Sequence, residues 1–217
     1  MEKEKYMAIE AFMLNQAKDS AHDKHHIYRV LNAAVDIAKY ENSVDMDILI
    51  TACLLHDIGR SAQAENPKLC HAKVGAEMAY AFLLEQGWQQ EKALHVRDCV
   101  SSHRYRGDNL PASIEAKILF DADKLDVSGA VGIARTLIYA GQVCCPLYIT
   151  GEDGNIVVDR GDSFFREYNY KLKNIYDSFY TARAKEIAST RKKVVEDFYN
   201  GLLAEVTENY KNGFKTR

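Results

Sequence analysis

ILITACLLHDIG, residues 48–59, is the stretch that decides the fold and the chemistry of this chain. Residues 48–55 form a largely apolar run, and a histidine and a carboxylate, His56 and Asp57, follow it directly. Two neighbouring side chains at the end of a buried helix can both bind one divalent ion. The stretch therefore predicts a buried helix that carries a metal-binding pair at its carboxyl end.

Further potential ligands lie on both sides of this pair. A single histidine on an apolar face is more often a packed core residue than a ligand, whereas a divalent ion needs several converging imidazole and carboxylate groups. A carboxylate buried among apolar segments is costly without a partner, and a cation removes that cost. The side chains that could converge on the pair are His22, His25, His26, His71, His103, Asp121, Asp123 and Asp126.

Length and charge limit the class of protein. A chain of 217 residues with 47% hydrophobic residues can fill one core, so we predict a single domain over 1–217. Its metal-binding core is expected at about 20–140, with a hairpin and C-terminal helices over 142–217. The formal net charge of −3 argues against a protein that coats nucleic acid or an anionic membrane, because both tasks need a concentrated basic surface.

The cysteines and the first residues favour a cytoplasmic protein. Five cysteines, two of them the neighbours Cys144 and Cys145, do not form the pattern of a disulfide framework. The first 19 residues lack the apolar region of a signal peptide. No stretch approaches the roughly 18 to 20 apolar residues that cross a bilayer.

Hydrophobic periodicity predicts an all-α fold. The chain contains only three prolines, and apolar residues recur at intervals of three and four from Ile27 to Ala38. His26 lies four residues before Val30, at the edge of this apolar stripe, and is expected to point inward. Further helices are predicted at about 4–18, 45–57, 71–86, 89–103, 112–121 and 126–141.

Residues 142–163 depart from the helical pattern. β-favouring residues flank a turn at 151–155 that is rich in glycine and acids, which predicts a short hairpin near 146–158. We interpret the hairpin as a flap over the metal or, equally, as an edge contact between the subunits of a homodimer. From about 164 to 211 the pattern is helical again, and its aromatic residues favour core packing over a base-stacking platform.

Three blocks of sequence resemble the HD-domain metal-dependent phosphohydrolases. They are HIYRV at 26–30, ACLLHDIG at 52–59 and DADKLD at 121–126, and the resemblance spans at least 22–135. YTARAK at 180–185 and the helix after it are similar to the tail of the bacterial stand-alone HD hydrolases related to nucleoside-triphosphate pyrophosphohydrolases. The resemblance implies an HD-domain helical bundle and a hydrolase.

The resemblance also implies a set of metal ligands, in which the aspartate is the hardest to assign. Asp123 and Asp126 are three residues apart and share a helix face, whereas Asp121 does not share it with Asp123. This favours Asp123 as ligand and Asp126 as a residue that binds substrate or supports a ligand. His22 is a candidate supporting residue, the alternative being an N-cap role for Asp23. The implied ligands are His26, His56, Asp57 and Asp123.

Two later histidines, His71 and His103, allow two interpretations. Some HD enzymes use histidines at about these places to hold a second metal ion, and such a pair of ions can clamp a phosphoryl group. Alternatively, both histidines contact the substrate phosphate directly, and this is the reading that we favour from the sequence. The cations that could stabilise phosphate charge are Arg60, Lys68, Arg104, Arg106 and Lys124, with Lys124 and Arg104 preferred because candidate ligands flank them.

The expected reaction is hydrolysis of a phosphoester or pyrophosphate bond in a small substrate, most simply a nucleotide, by metal-activated water. Asp57 could orient this water in addition to binding the metal. We expect Mn²⁺ or another transition metal, with Mg²⁺ and Zn²⁺ as alternatives, because mixed imidazole and carboxylate ligands suit all of them. The alternative functions are a cyclic-nucleotide-type phosphodiesterase and a non-catalytic nucleotide sensor.

Overall fold

The protein is described by a computed structural model that covers residues 1–16, 23–104 and 109–212. Helices dominate these residues, which confirms the all-α prediction. The helices are α1 Lys3–Gln16, α2 Lys24–Ala38, α3 Met46–Leu55, α4 Arg60–Glu65, α5 His71–Glu85, α6 Gln90–Ser102, α7 Ile114–Leu125, α8 Gly129–Gln142, α9 Phe164–Glu167 and α10 Ala182–Asn212. The strands are β1 Ile149–Thr150 and β2 Ile156–Val157.

The chain divides into two compact units. The first contains Met1–Asp126 and Phe179–Ala184, and the second contains Val127–Ser178 and the described residues from Lys185 onward. The expectation of a single domain over 1–217 stays a prediction. None of the described helices has both the length and the apolar content that a bilayer span requires.

Helix α3 lies at the centre of the first unit, against α1, α2, α6 and α7. Asp45 caps it, because its side chain accepts hydrogen bonds from the backbone N–H groups of Asp47 and Ile48. Leu49, Leu54 and most other residues of the apolar run are buried, as predicted. Full burial of such a leucine is worth about 1.5–3 kcal/mol, so this run anchors the core and fixes the position of the residues that follow it.

Two helices differ from the predicted pattern. Helix α4 was not predicted, since its six residues include no buried side chain and therefore no apolar stripe. Helix α7 continues to Leu125 instead of ending near 121, because Ala122 and Leu125 extend its buried face. Both helices carry residues of the candidate site.

The second unit contains the predicted hairpin and an aromatic core. β1 and β2 pair antiparallel, with Ile149 opposite Val157, which confirms the hairpin near 146–158. The predicted helical stretch from 164 is broken into α9, a π-helical turn and a 3₁₀ turn before α10 begins. The core confirms the packing role of the aromatic residues and consists of Ile133, Phe164, Phe165, Tyr168, Leu172 and Val195. The hairpin's role as a flap or a subunit contact stays a prediction.

Candidate metal centre

The ends of five helices bring six potential metal ligands together in the first unit. α2 contributes a residue of its first turn, α3 and α6 contribute the residues at their carboxyl ends, α5 contributes its first residue, and α7 contributes a residue of its last turn. One carboxylate follows directly after the C-cap of α3. All lie in the interior or at its edge. The six side chains are His26, His56, Asp57, His71, His103 and Asp123.

His26, His56 and Asp123 form the first group of ligand atoms. The Nε2 atoms of the two histidines are 3.2 Å apart, and Nε2 of His26 lies 3.5 Å from Oδ1 of Asp123. One ligand atom of each residue lies within 4.8 Å of those of the other two. The expected set of His26, His56 and Asp123 therefore converges in space.

Asp57 joins this group to a second one that contains His71 and His103. Its Oδ1 lies 3.6 Å from Nε2 of His71 and 3.6 Å from Nε2 of His103. Its Oδ2 lies 3.4 Å from Nε2 of His26 and 3.5 Å from Nε2 of His56. The carboxylate of Asp57 thus lies between the two groups, with one oxygen near each.

Hydrogen bonds fix the tautomers of His56 and His103. Nδ1 of His56 donates to the carbonyl oxygen of Cys53 at 2.7 Å, and Nδ1 of His103 donates to that of Val100 at 2.6 Å. A carbonyl oxygen only accepts, so the hydrogen of each neutral ring is on Nδ1. Each Nε2 therefore carries a lone pair, the form that binds a metal.

His71 and His26 also carry the ring hydrogen on Nδ1, but they donate it to side chains instead of backbone carbonyls. The amide nitrogen of Gln63 donates to the carbonyl of Leu69 at 2.9 Å, which fixes the orientation of that amide. Its Oε1 therefore accepts from Nδ1 of His71, at 2.8 Å. Nδ1 of His26 donates to Oδ2 of Asp126 at 2.7 Å. All four rings thus turn an Nε2 lone pair towards the carboxylates.

Two of the atoms that face this space have no hydrogen-bond partner in the described part of the chain. They are Oδ2 of Asp57 and Nε2 of His71, and both are buried. A buried, unpartnered acceptor costs about 1–3 kcal/mol, and more when it is charged. A cation between the converging ligands would remove this cost, so the residues fit a bound metal ion.

Burial keeps the imidazoles of His56 and His71 neutral. It lowers the pKa of His56 to about 4, and burial together with the nearby Arg60 guanidinium lowers the pKa of His71 to about 2. Both rings are therefore uncharged at neutral pH. Their Nε2 lone pairs remain available to a cation.

The two carboxylates are ionised. Burial opposes the charge on Asp57, but the guanidinium of Arg60, whose Nε lies 2.9 Å from Oδ1, holds its pKa well below the usual range. Burial also opposes the charge on Asp123, but Lys124, at 2.6 Å, outweighs it and holds its pKa low. Neutral imidazoles combined with charged carboxylates form a ligand set suited to manganese, iron, cobalt, nickel or zinc.

The neighbouring aspartates have other partners. Asp121 accepts hydrogen bonds from the backbone N–H groups of Tyr180 and Thr181 and from the Thr181 hydroxyl, so it holds the chain just before α10. Asp126 accepts from His26 and from Arg29. The structure therefore separates the three aspartates, and Asp123 is the one within the first group.

Two of the predicted cations, Lys124 and Arg104, contact residues of the centre or their neighbours. The ammonium of Lys124 is buried between Asp123 and the backbone carbonyl of His103, at 3.1 Å from the latter. Arg104 donates to Sγ of Cys70 at 3.4 Å, which gives that thiol a partner outside the ligand groups. His22 and Arg106 lie outside the described residues.

Sequence reasoning missed two residues, Gln63 and Arg29. Arg29 lies three residues after His26, so helix spacing alone could have identified it as a neighbour. Gln63 gave no such signal, because it lies on the unpredicted helix α4 and reaches His71 across the α4–α5 loop. Asp23 has the N-cap role that the sequence left as the alternative to a supporting role for His22, since it accepts from the backbone N–H of His26.

Known proteins identify the family. The HD domain family matches residues 24–128, which include all six candidate ligands. The protein YpgQ of Bacillus subtilis is 30% identical over 191 residues, which cover 87% of this chain and 86% of YpgQ. The chain belongs to the HD-domain phosphohydrolase family. This confirms the resemblance seen in the sequence.

Solved structures agree with this assignment. A protein described as a predicted HD superfamily hydrolase, from an uncultured Thermotogales bacterium, is 30% identical, with a TM-score of 0.61 over 94% of this chain and 92% of the other. YpgQ of Bacillus subtilis in complex with ADP is 28% identical, with a TM-score of 0.71 over 93% of this chain and 97% of the other. The HD-domain protein described here is therefore a hydrolase whose histidine and aspartate cluster could hold a divalent metal.

Proposed function

We propose that this HD-domain protein is a divalent-metal-dependent phosphohydrolase that cleaves a phosphoester or phosphoanhydride bond of a nucleotide. The observation that carries the proposal is the position of the Asp57 carboxylate, which has one oxygen towards each of two groups of buried histidines. ADP is bound by the related YpgQ, and this supports a nucleotide as the substrate class.

The ligands of the first ion would be His26, His56, Asp123 and Oδ2 of Asp57. For His71 and His103 the tautomers favour a role as ligands of a second ion together with Oδ1 of Asp57. A phosphate oxygen that carries no hydrogen can only accept a hydrogen bond, and a neutral ring whose hydrogen is on Nδ1 has none to donate from Nε2. Direct contact with phosphate, which the sequence favoured, is thus the weaker alternative.

A divalent ion in this centre would polarise phosphoryl oxygens and lower the pKa of water, and Mn²⁺ is the ion that we propose. The chain itself supplies the positive charge around it. Arg60 and Arg104 both lie close enough to His71 to lower its pKa, so their guanidinium groups are candidates to bind the phosphates of the substrate. Lys124 would hold Asp123 in place, and Asp57 would also orient the attacking water.

Metal-dependent turnover tests the proposal. Purified protein is treated with chelator, reloaded with Mn²⁺ and incubated with nucleoside mono-, di- and triphosphates and cyclic nucleotides, and products are separated by ion-exchange chromatography. We expect hydrolysis of at least one nucleotide, and a loss of about 100-fold or more in His56→Ala and Asp57→Ala. His25→Ala is the matched control, because His25 is exposed beside His26 and should leave turnover unchanged.

Two results would contradict the proposal. Binding of Mn²⁺ without hydrolysis of any nucleotide would exclude the proposed phosphohydrolase function. Stabilisation by ADP without product would identify a nucleotide sensor instead. Cleavage of cyclic nucleotides alone would select the phosphodiesterase alternative within the same reaction class.

A further inference from the structure

A buried carboxylate links α2 to the carboxyl end of α7 behind the first ligand group. Asp126, the C-cap residue of α7, is 6% exposed. Its Oδ2 accepts from Nδ1 of His26 at 2.7 Å. Arg29 binds both of its oxygens, with Nε at 2.7 Å from Oδ1 and Nη2 at 3.0 Å from Oδ2.

We propose that Arg29 and Asp126 are a positioning pair that sets the orientation and donor strength of His26 as a metal ligand, an inference that rests on the proposed function. The hydrogen bond to Asp126 keeps the hydrogen on Nδ1 and directs Nε2 towards Asp123, 3.5 Å away. A carboxylate on the far nitrogen of a metal-binding imidazole also increases the basicity of the ligand atom.

Arg29 keeps that carboxylate in place. Arg29 and His26 are three residues apart on α2, so both reach Asp126 from one face of the helix. The guanidinium binds both oxygens of Asp126 and balances its buried charge, whereas a lysine at this position would offer only a point charge. Without Arg29 the carboxylate would lose two hydrogen bonds and the cation that stabilises its ionised form.

The backbone adds a second constraint. The N–H of Asp126 donates to the carbonyl of Asp123 at 3.2 Å, so the residue that holds His26 and the ligand Asp123 belong to the same helical end. The pair therefore ties the ligand of α2 to the ligand of α7. A change in Asp126 should alter the distance between two ligands as well as the electronics of one.

The nature of the partner distinguishes His26 from the other described histidines of the centre. His56 and His103 donate to backbone carbonyls, and His71 donates to the amide of Gln63. These acceptors are neutral, whereas that of His26 is a carboxylate. Loss of the carboxylate should thus weaken binding of the first ion more than loss of a neutral acceptor would weaken binding at the other histidines.

Mn²⁺ affinity of the chelator-treated protein, measured by isothermal titration calorimetry, tests the pair. In Asp126→Asn the amide oxygen can still accept from His26 but carries no charge, and we expect binding at the first site to weaken by about 10- to 100-fold. Arg29→Gln should weaken it in the same direction, by about 10-fold. Arg29→Lys should restore part of the affinity, because the charge returns without the two-point contact.

Asp121→Asn is the matched control. Asp121 is a buried carboxylate on the same helix, but its bonds go to Tyr180 and Thr181. The substitution should lower the unfolding temperature and leave Mn²⁺ affinity unchanged. A merely structural role for Asp126 would give this same pattern.

The outcomes separate this inference from the proposed function. Affinities within about twofold of wild type in Asp126→Asn and Arg29→Gln, with lowered stability alone, would overturn the positioning role. Tight Mn²⁺ binding by a wild-type protein that hydrolyses no nucleotide would contradict the proposed function, while the affinities of the variants would still decide the role of the pair. A wild-type protein that binds no divalent ion would overturn both.

Discussion

At the scale of single residues, the candidate centre depends on which ring nitrogen carries the hydrogen. His56 and His103 each follow a helix end and donate to a carbonyl three residues earlier, one of the groups that a helix leaves without a partner in its last turn. A terminal carbonyl thus fixes the tautomer of the adjacent histidine. The same helix end supplies the candidate ligand and, through the hydrogen bond to Nδ1, keeps the lone pair on Nε2.

Gln63 should control the second ion in the same way. Gln63→Met removes the acceptor of the His71 Nδ1–H, so the ring loses its fixed orientation. We expect Mn²⁺ at the second group to bind about 10-fold more weakly, with binding of the first ion unaffected. At a metal concentration that saturates both groups of the wild type, titration calorimetry should give two ions for the wild type and one for the variant.

Gln86→Met is the control for this substitution, because Gln86 is an exposed glutamine of the same unit. A wild type that binds one ion, combined with a higher KM in Gln63→Met, would instead favour contact between His71 and the substrate phosphate. The two interpretations of His71 and His103 that the sequence left open therefore give different measurements.

At the scale of secondary-structure elements, a close approach of backbones sets the position of α5. A Cβ atom on Gly59 would lie 2.2 Å from the carbonyl oxygen of His71 and 2.6 Å from the backbone nitrogen of Gly75. Neither backbone atom can yield by a rotation of a side chain. The glycine of ILITACLLHDIG thus allows the start of α5, and with it His71, to approach Asp57.

Gly59→Ala should accordingly affect both stability and metal binding. We expect the free energy of unfolding, measured in urea, to fall by about 1–3 kcal/mol, because the added methyl group overpacks a backbone contact. The second ion should also bind more weakly, since His71 moves with α5. Gly141→Ala, on α8 where a Cβ meets nothing within 4 Å, should be neutral or stabilising and leave metal binding unchanged. A neutral Gly59→Ala would contradict the role of the contact.

The same elements explain how far the sequence could predict the structure. Apolar periodicity identified the long helices because each buries one face, and helix-face spacing separated Asp123 from Asp121. Periodicity could not identify α4, which has no apolar face, and therefore gave no indication of Gln63. The partner of Asp121 could not be predicted from the sequence either, since Thr181 is 60 residues away and the contact depends on tertiary structure.

At the scale of the whole molecule, the ligands and the aromatic core belong to different compact units. All six candidate ligands lie within Met1–Asp126, whereas Phe165 and its neighbours form a core in the second unit. The single tryptophan, Trp88, belongs to the first unit and lies close to α1. Its fluorescence therefore reports on the unit that would bind the metal.

Metal removal should lower the unfolding temperature of the first unit, measured by the fluorescence of Trp88. A ligand that binds only the folded state stabilises it by about 2.7 kcal/mol at 100 times its Kd, so Mn²⁺ should raise the midpoint and chelator should reverse the rise. Phe165→Leu should lower the unfolding midpoint measured by circular dichroism. It should keep the Mn²⁺ response of Trp88 fluorescence, because Phe165 contributes no ligand. Asp57→Ala should abolish that response, since both groups lose an oxygen. An equal Mn²⁺ shift in Asp57→Ala would mean that the ion binds elsewhere and would refute the candidate centre.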